Sequence, residues 1–257
     1  MFGKYIMYSP LEQFQIIPIL PIQFGIIDVS ITNETVILVV IFFLTSSLIA
    51  SLLKKDNSFY IIPGRFQAIL DIIYKLILSL VVDNIRDKKG QYFFPLVFAI
   101  FLFILSLNLI GLVPYSFTLT SHLVVTLAIS LAVFIGINII CVRIHGMKFF
   151  SLFLPPGTSF VLALLLVPIE LISYVFKPVS LSIRLFANMM AGHTLLKVIA
   201  GFASTLMANS GVLFLLHYVP LLILIPLFGL ELGVALIQSF VFSILTCIYL
   251  NDSINLH

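Results

Sequence analysis

Six side chains able to hold or move charge stand in one long apolar run, Thr158 to about Met207: Glu170, Lys177, Arg184, Asn188, His193 and Lys197. Glu231, Gln238 and Asp252 stand on or just beyond the next, from about Val212 to Leu250. Ionisable groups inside a membrane cost several kcal/mol and usually mark ion pathways. Lys177 and Lys197 read more simply, as cations that snorkel to an interface or pair structurally, and His122, His145, His217 and His257 as interfacial residues near loops. Arg184 is different. It lies near the middle of its run, cannot be deprotonated, and has no acid three or four residues away. Its anionic or polar partner must come from elsewhere in the chain or from another subunit.

At ~100° per residue, Asn188 lies about 40° from Arg184 around an ideal helix, Glu170 about 40° off on Arg184's own side and His193 about 180° away. Along the axis Glu170 is about 21 Å to one side of Arg184 and His193 about 13 Å to the other. On an antiparallel following helix, Glu231 falls at the His193 end, with Gln238 next on the same face, and Asp252 at the Glu170 end. Titratable groups on both sides of a permanent cation describe two half-pathways for protons separated by a charge barrier.

The elements that must position these residues are membrane helices. Of 257 residues, 61% are hydrophobic and 9% charged, against about 45–50% and 25% in soluble chains. So few charges cannot cover a body of this size in water. A net charge of +3, thinly spread, gives no basic patch for nucleic acid. Cys141 and Cys247 sit in separate apolar runs without further ligand-type residues, so they read as packing residues, with no metal site and no disulfide. The opening Met1-Phe-Gly-Lys-Tyr-Ile-Met-Tyr has neither the form of a secretory signal nor that of an Arg-rich transit peptide.

Residues 1–33, broken by Pro10, Pro18 and Pro21, form an extended or short-helical segment on one membrane face. Residues 34–53 are long enough to cross a ~30 Å hydrocarbon layer. Over 64–84, Asp71, Lys75, Ser79 and Asp83 step by four among apolar residues, the pattern of an amphipathic helix lying in the interface. Residues 93–142 form a transmembrane hairpin, its connection beginning at Pro114. After the turn at Pro155-Pro156-Gly157, residues 158–257 supply two runs too long to stand upright. They must be strongly tilted, bent, or interrupted at Pro168, Pro178, Pro220 and Pro226. The fold class is therefore an all-α polytopic membrane protein, with about five membrane-embedded helices and one interfacial helix. Lys54, Lys55, Arg65, Lys75, Arg86, Lys88 and Lys89 lie between the first two spans, and Arg143 and Lys148 follow the third. Five spans put both groups inside, with the N-terminus outside and the C-terminus inside.

The stretches Ser180-Leu-Ser-Ile-Arg184-Leu-Phe-Ala-Asn188-Met-Met-Ala-Gly-His193 and Gly229-Leu-Glu231-Leu-Gly-Val-Ala-Leu-Ile-Gln238 carry a family resemblance. Asn108-Leu-Ile-Gly-Leu-Val-Pro114-Tyr and the ending from Ile248 to His257 extend it. Together they resemble subunit a of F-type ATP synthases in its mitochondrial form. The resemblance implies a non-catalytic, cofactor-free subunit of the mitochondrial inner membrane, with its N-terminus in the intermembrane space and its C-terminus in the matrix. Its implied partners are a ring of c subunits, peripheral stalk subunit b, other membrane-sector subunits and lipids, and protons are the transported ion. By similarity Arg184 faces the ring carboxylate, and Asn188 and Gln238 line the contact. His193 and Glu231 belong to the half-channel from the intermembrane space, Glu170 and Asp252 to that of the matrix.

A stand-alone secondary transporter or proton channel is the alternative. It predicts matched broken helices in two halves, whereas here the first half carries a span, an interfacial helix and a hairpin, unlike the second. An intramembrane enzyme finds no His-Glu-x-x-His, Gly-x-Ser-x-Gly or paired-aspartate motif in the spans.

Overall fold

A computed structural model describes residues 14–24, 27–28, 30–53, 65–85, 92–113, 116–146, 160–208 and 216–254. Lys54, Lys55, Arg86, Lys88, Lys89, Lys148, His257, the breaks at Pro10 and Pro114, and the Pro155-Pro156-Gly157 turn lie outside the described residues.

The expected extended segment is partly paired. Strand β1 (Pro18–Leu20) runs antiparallel to β4 (Ile31–Thr32), and β2 (Gln23–Phe24) to β3 (Ile27–Asp28). Helix α1 (Asn33–Leu53) starts where Asn33 exchanges hydrogen bonds with Ile17 and donates to the Gln15 carbonyl at 3.2 Å. Thr32 and Thr35 bond each other's backbone N–H, which stops the first turn from leaving open donors.

Then follow α2 (Arg65–Asn84), α3 (Phe94–Gly111), a short turn of 3₁₀-helix (Leu119–Ser121), α4 (Leu123–His145), α5 (Phe160–Ala208) and α6 (Tyr218–Ile254). All but α2 are long and apolar enough to cross a membrane. In α2 the residues Asp71, Lys75, Ser79 and Asp83 are all exposed, and Asp71 and Lys75 pair at 2.8 Å. Its other face buries Ile77, Leu80 and Val81 against Val97, Phe98 and Phe101 of α3 and Cys247 and Leu250 of α6. The four-residue polar period thus leaves an apolar stripe free to pack.

At about 1.5 Å per residue, the 49 residues of α5 and the 37 of α6 far exceed an upright crossing. Neither is interrupted. Pro168 and Pro178 lie inside α5 and Pro226 inside α6, so tilt or bending, not a break, accommodates the length. Pro220 falls in the first turn of α6, where a missing N–H costs no intrahelical bond.

Residues 117–121 of the connection between α3 and α4 are buried. Phe117, Thr118, Leu119, Thr120 and Ser121 are each 8% exposed or less. Non-helical backbone is tolerated at such a place when protein surrounds it, although the Thr120 hydroxyl has no hydrogen-bond partner among the described residues. Here the Thr118 hydroxyl donates to Ser121 at 2.7 Å, Ser121 donates to the Thr118 carbonyl at 2.6 Å, and Ser116 donates to the Ile110 carbonyl at 2.6 Å. The turn packs on α5.

Candidate functional site

Helices α5 and α6 run antiparallel, and their contact is ordered by size. On α5 the buried residues Leu181, Leu185 and Met189 recur every fourth position; on α6 Ala235 and Phe242 are fully buried. Leu181, Leu185 and Phe242 close on Ile104 of α3, and Met189 and Ala235 on Leu112. A small residue beside a large one lets two helices approach closely.

Along this seam three polar pairs bridge the helices. Lys177 Nζ lies 3.8 Å from Asp252 Oδ2, Asn188 Nδ2 donates to Gln238 Oε1 at 3.1 Å, and His193 Nε2 lies 3.9 Å from Glu231 Oε1. The outermost two are sixteen residues apart on α5, about 24 Å, close to the thickness of a hydrocarbon core.

Arg184 sits between them and joins none. It lies off the buried stripe, is exposed, and forms no hydrogen bond or ion pair with the described residues. With Lys177, seven residues away and so on the same face, it lines a cavity of about 270 Å³ with Ser173, Ser180 and Tyr249. The molecule thus presents a fixed cation on its outer surface, level with the middle of a long apolar helix.

The His193–Glu231 pair is enclosed: the side chains are 12% and 5% exposed. At 3.9 Å the two do not hydrogen-bond, and neither Glu231 oxygen has a hydrogen-bond partner among the described residues. The carboxylate reaches α5 because residue 192 is glycine, where a Cβ would run into its Oε1. Beside it a cavity of about 280 Å³ is lined by Asn188, Gly192, Leu195, Leu230 and Glu231. The pair can hold and pass a proton, since an imidazole and a carboxyl group each act as donor or acceptor according to protonation.

The opposite end is built otherwise. Lys177 and Asp252 are 30% and 47% exposed, and the ammonium stands 4.8 Å and 5.4 Å from the ring centres of Tyr249 and Tyr174, within cation–π range. Tyr174 donates to Asn138 of α4, which fixes the ring. Asp252 is joined to Lys177, and Glu170 Oε2 is buried without a hydrogen-bond partner among the described residues. Lys177 also fits the structural-pair reading of its sequence position.

The other polar positions settle locally. His145 and Cys141 contact the Ile254 and Ser253 carbonyls at 3.0 and 3.4 Å, His122 stacks on Phe117, and both cysteines are buried and free. Among the described residues, no three His, Cys, Asp or Glu side chains come together as a metal site.

Gly192, Asn108, Tyr174 and Tyr249 were given no site role from the sequence, although Asn108 opens one of the stretches that carry the resemblance. A small residue next to His193 in an apolar helix was a signal for Gly192, and a lone amide near the end of the apolar run 93–113 was one for Asn108. The tyrosines reach Lys177 from places 3 and 72 positions away in the chain, and only packing reveals that.

The sequence profile of the ATP synthase A chain family matches residues 34–251. The chain is 46% identical over 256 residues to ATP synthase subunit a of Chondrus crispus, covering 98% of each chain. It is 54% identical over 250 residues to ATP synthase subunit a of Pylaiella littoralis, covering 97% of this chain and 99% of that one. The corresponding subunit of Marchantia polymorpha is 48% identical over 253 residues, covering 97% and 99%.

Proposed function

The chain belongs to the ATP synthase A chain family, and on that premise we propose that it is the stator subunit of a mitochondrial F-type membrane sector, carrying protons past a rotating c-ring. It catalyses no bond-making step itself. The observation that carries this reading is Arg184, a permanent cation exposed on an apolar helix with no ion-pair or hydrogen-bond partner among the described residues. An unpaired cation in hydrocarbon is costly, so a moving anion from another subunit is the group it suits.

The mechanism follows from elementary electrostatics. A ring carboxylate can face lipid only when protonated, since the ionised form is too costly there. Beside Arg184 the ionised form is favoured, so the proton leaves before the carboxylate reaches the guanidinium and another is taken up after it passes. His193 and Glu231 lead protons in from the intermembrane space toward Asn188 and Gln238, while Glu170 and Asp252 lie on the matrix path. Arg184 separates the two paths and blocks leakage between them. A potential of 100 mV contributes about 2.3 kcal/mol per charge moved and biases the rotation. The N-terminus then faces the intermembrane space and the C-terminus the matrix, with peripheral stalk subunit b, other membrane-sector subunits and lipids as the remaining neighbours.

Arg184→Lys is the direct test. Lysine can lose its proton and lacks the planar fork, so the assembled complex should lose proton-driven ATP synthesis. Near-normal synthesis in membranes containing the intact complex would overturn the reading.

A further inference from the structure

Arg184 can serve another subunit only if α5 is held at one rotation about its own axis. The apolar contacts of Leu181, Leu185 and Met189 hold α5 against its neighbours, but apolar burial is non-directional and does not by itself fix that angle. A hydrogen bond is directional. Among the described residues of α5, Ser182 is the one polar side chain that is buried, at 0% exposure. It lies two positions from Arg184, about 200° around the helix, so it occupies the back of α5 where the exposed guanidinium occupies the front.

Behind it stands Thr126 of α4, also 0% exposed, with the two hydroxyl oxygens 3.0 Å apart. The direction of that bond follows from counting protons. Thr126 Oγ1 is also 3.0 Å from the Leu123 carbonyl and 3.4 Å from that of His122. Carbonyls only accept, and a hydroxyl has one proton to give. Both hydroxyls are satisfied when Ser182 donates to Thr126 and Thr126 donates to its own helix. Two further bonds tie α5 to its neighbours, from Tyr174 to Asn138 and from Asn188 to Gln238, but each runs through longer side chains. Ser182 and Thr126 each have one rotatable bond between backbone and oxygen, and threonine is stiff there, so their bond couples the two backbones at the turn that carries Arg184.

Resting on the function proposed above, we propose that Ser182 and Thr126 are positioning residues whose bond locks the rotation of α5 and keeps Arg184 aimed at the moving anion. Each approach and departure of a ring carboxylate pulls on the guanidinium, and the pair passes that load to α4. A helix able to turn would let Arg184 follow the ring and would open the barrier between the two proton paths.

Thr126→Val keeps the shape without the hydroxyl, Thr126→Ser keeps the hydroxyl, and Ser182→Ala removes the other partner. Vesicles holding the whole complex are given a pH gradient, and assembly is checked by native electrophoresis. ATP synthesis is measured with ADP and phosphate present, and decay of the gradient without ADP. A folding defect would lower synthesis in step with the assembled complex and leave the gradient intact. The expected result is synthesis about fivefold lower and decay about fivefold faster for Thr126→Val and for Ser182→Ala at equal assembly, the change that one neutral hydrogen bond is worth. The double variant should be no worse than either single one, as for groups that act through one contact, and Thr126→Ser should behave as the unaltered complex. Unchanged synthesis and decay overturn the proposal. So do effects that multiply in the double variant, lost synthesis without faster decay, or failure of Thr126→Ser to restore function. Loss of assembly in both single variants would make the pair a folding clasp and overturns it too; where one alone fails to assemble, the other decides. Arg184→Lys in the same vesicles separates this from the underlying reading. Normal synthesis there sinks the reading of Arg184, whereas lost synthesis beside unaltered Thr126→Val and Ser182→Ala sinks only the role of the pair.

Discussion

The two ends of the α5–α6 seam carry the same kind of device, a basic group on α5 opposite a carboxylate on α6, and differ in everything around it. His193 and Glu231 are enclosed, 3.9 Å apart, with no hydrogen bond to the His193 Nε2 or the Glu231 carboxylate among the described residues, and beside a cavity. Lys177 and Asp252 are half-exposed, and the ammonium is flanked by two tyrosine rings. The first pair has the features of a transfer site: groups that can change protonation, room beside them, and no competing partners that would hold one state. The second is a half-exposed ion pair whose lysine is held in place by a carboxylate and two aromatic faces. Burial and the chemistry of the neighbours together distinguish them.

The contrast can be broken most severely by Glu231→Gln, which keeps the shape but cannot ionise. Proton conduction should fall by about a hundredfold, within the range for losing a positioned acid or base, with assembly intact. Unchanged flux would remove Glu231 from the path. Gly192→Ala comes next. The added methyl meets the Glu231 carboxylate and should lower proton-driven ATP synthesis about tenfold by displacing it. Adding Glu231→Asp, one methylene shorter, should restore part of the loss, and the absence of any rescue would show that the glycine acts elsewhere.

At the other end Asp252→Asn should cost only about two- to fivefold in conduction, because a half-exposed ion pair contributes up to ~1 kcal/mol and the tyrosines still hold Lys177. A loss as large as that of Glu231→Gln would erase the distinction between the ends. Smallest of all, Tyr249→Phe keeps the ring face and should change conduction by less than about twofold. A larger effect would mean that the hydroxyl, not the ring, matters.

Much of this architecture was legible in the chain. The five spans follow from apolar length, and the amphipathic character of α2 from the four-residue step of Asp71, Lys75, Ser79 and Asp83. Arg184 stood out because guanidinium chemistry does not depend on context. The register of α5 against α6 was partly legible too, since antiparallel order alone sets His193 near Glu231. The anchoring of Asp252 was not. Asp252 and Glu170 shared an end of the molecule by sequence, but that Lys177 is the group joined to Asp252 there is decided by side-chain reach and by tyrosine rings on α5 and α6.

Sequence by itself therefore determined which segments are helical, which of them are apolar enough to enter a bilayer, and that a charge which cannot be neutralised lies midway along one of them. Those properties are local, fixed by residue type and by spacing along one helix. Tertiary structure alone decided that the α3–α4 turn is buried, that Asn108 donates to the Ala235 carbonyl of α6, and that Gly192 admits the carboxylate. Each of these depends on the approach of backbones remote in the chain, and no one-dimensional period encodes that approach.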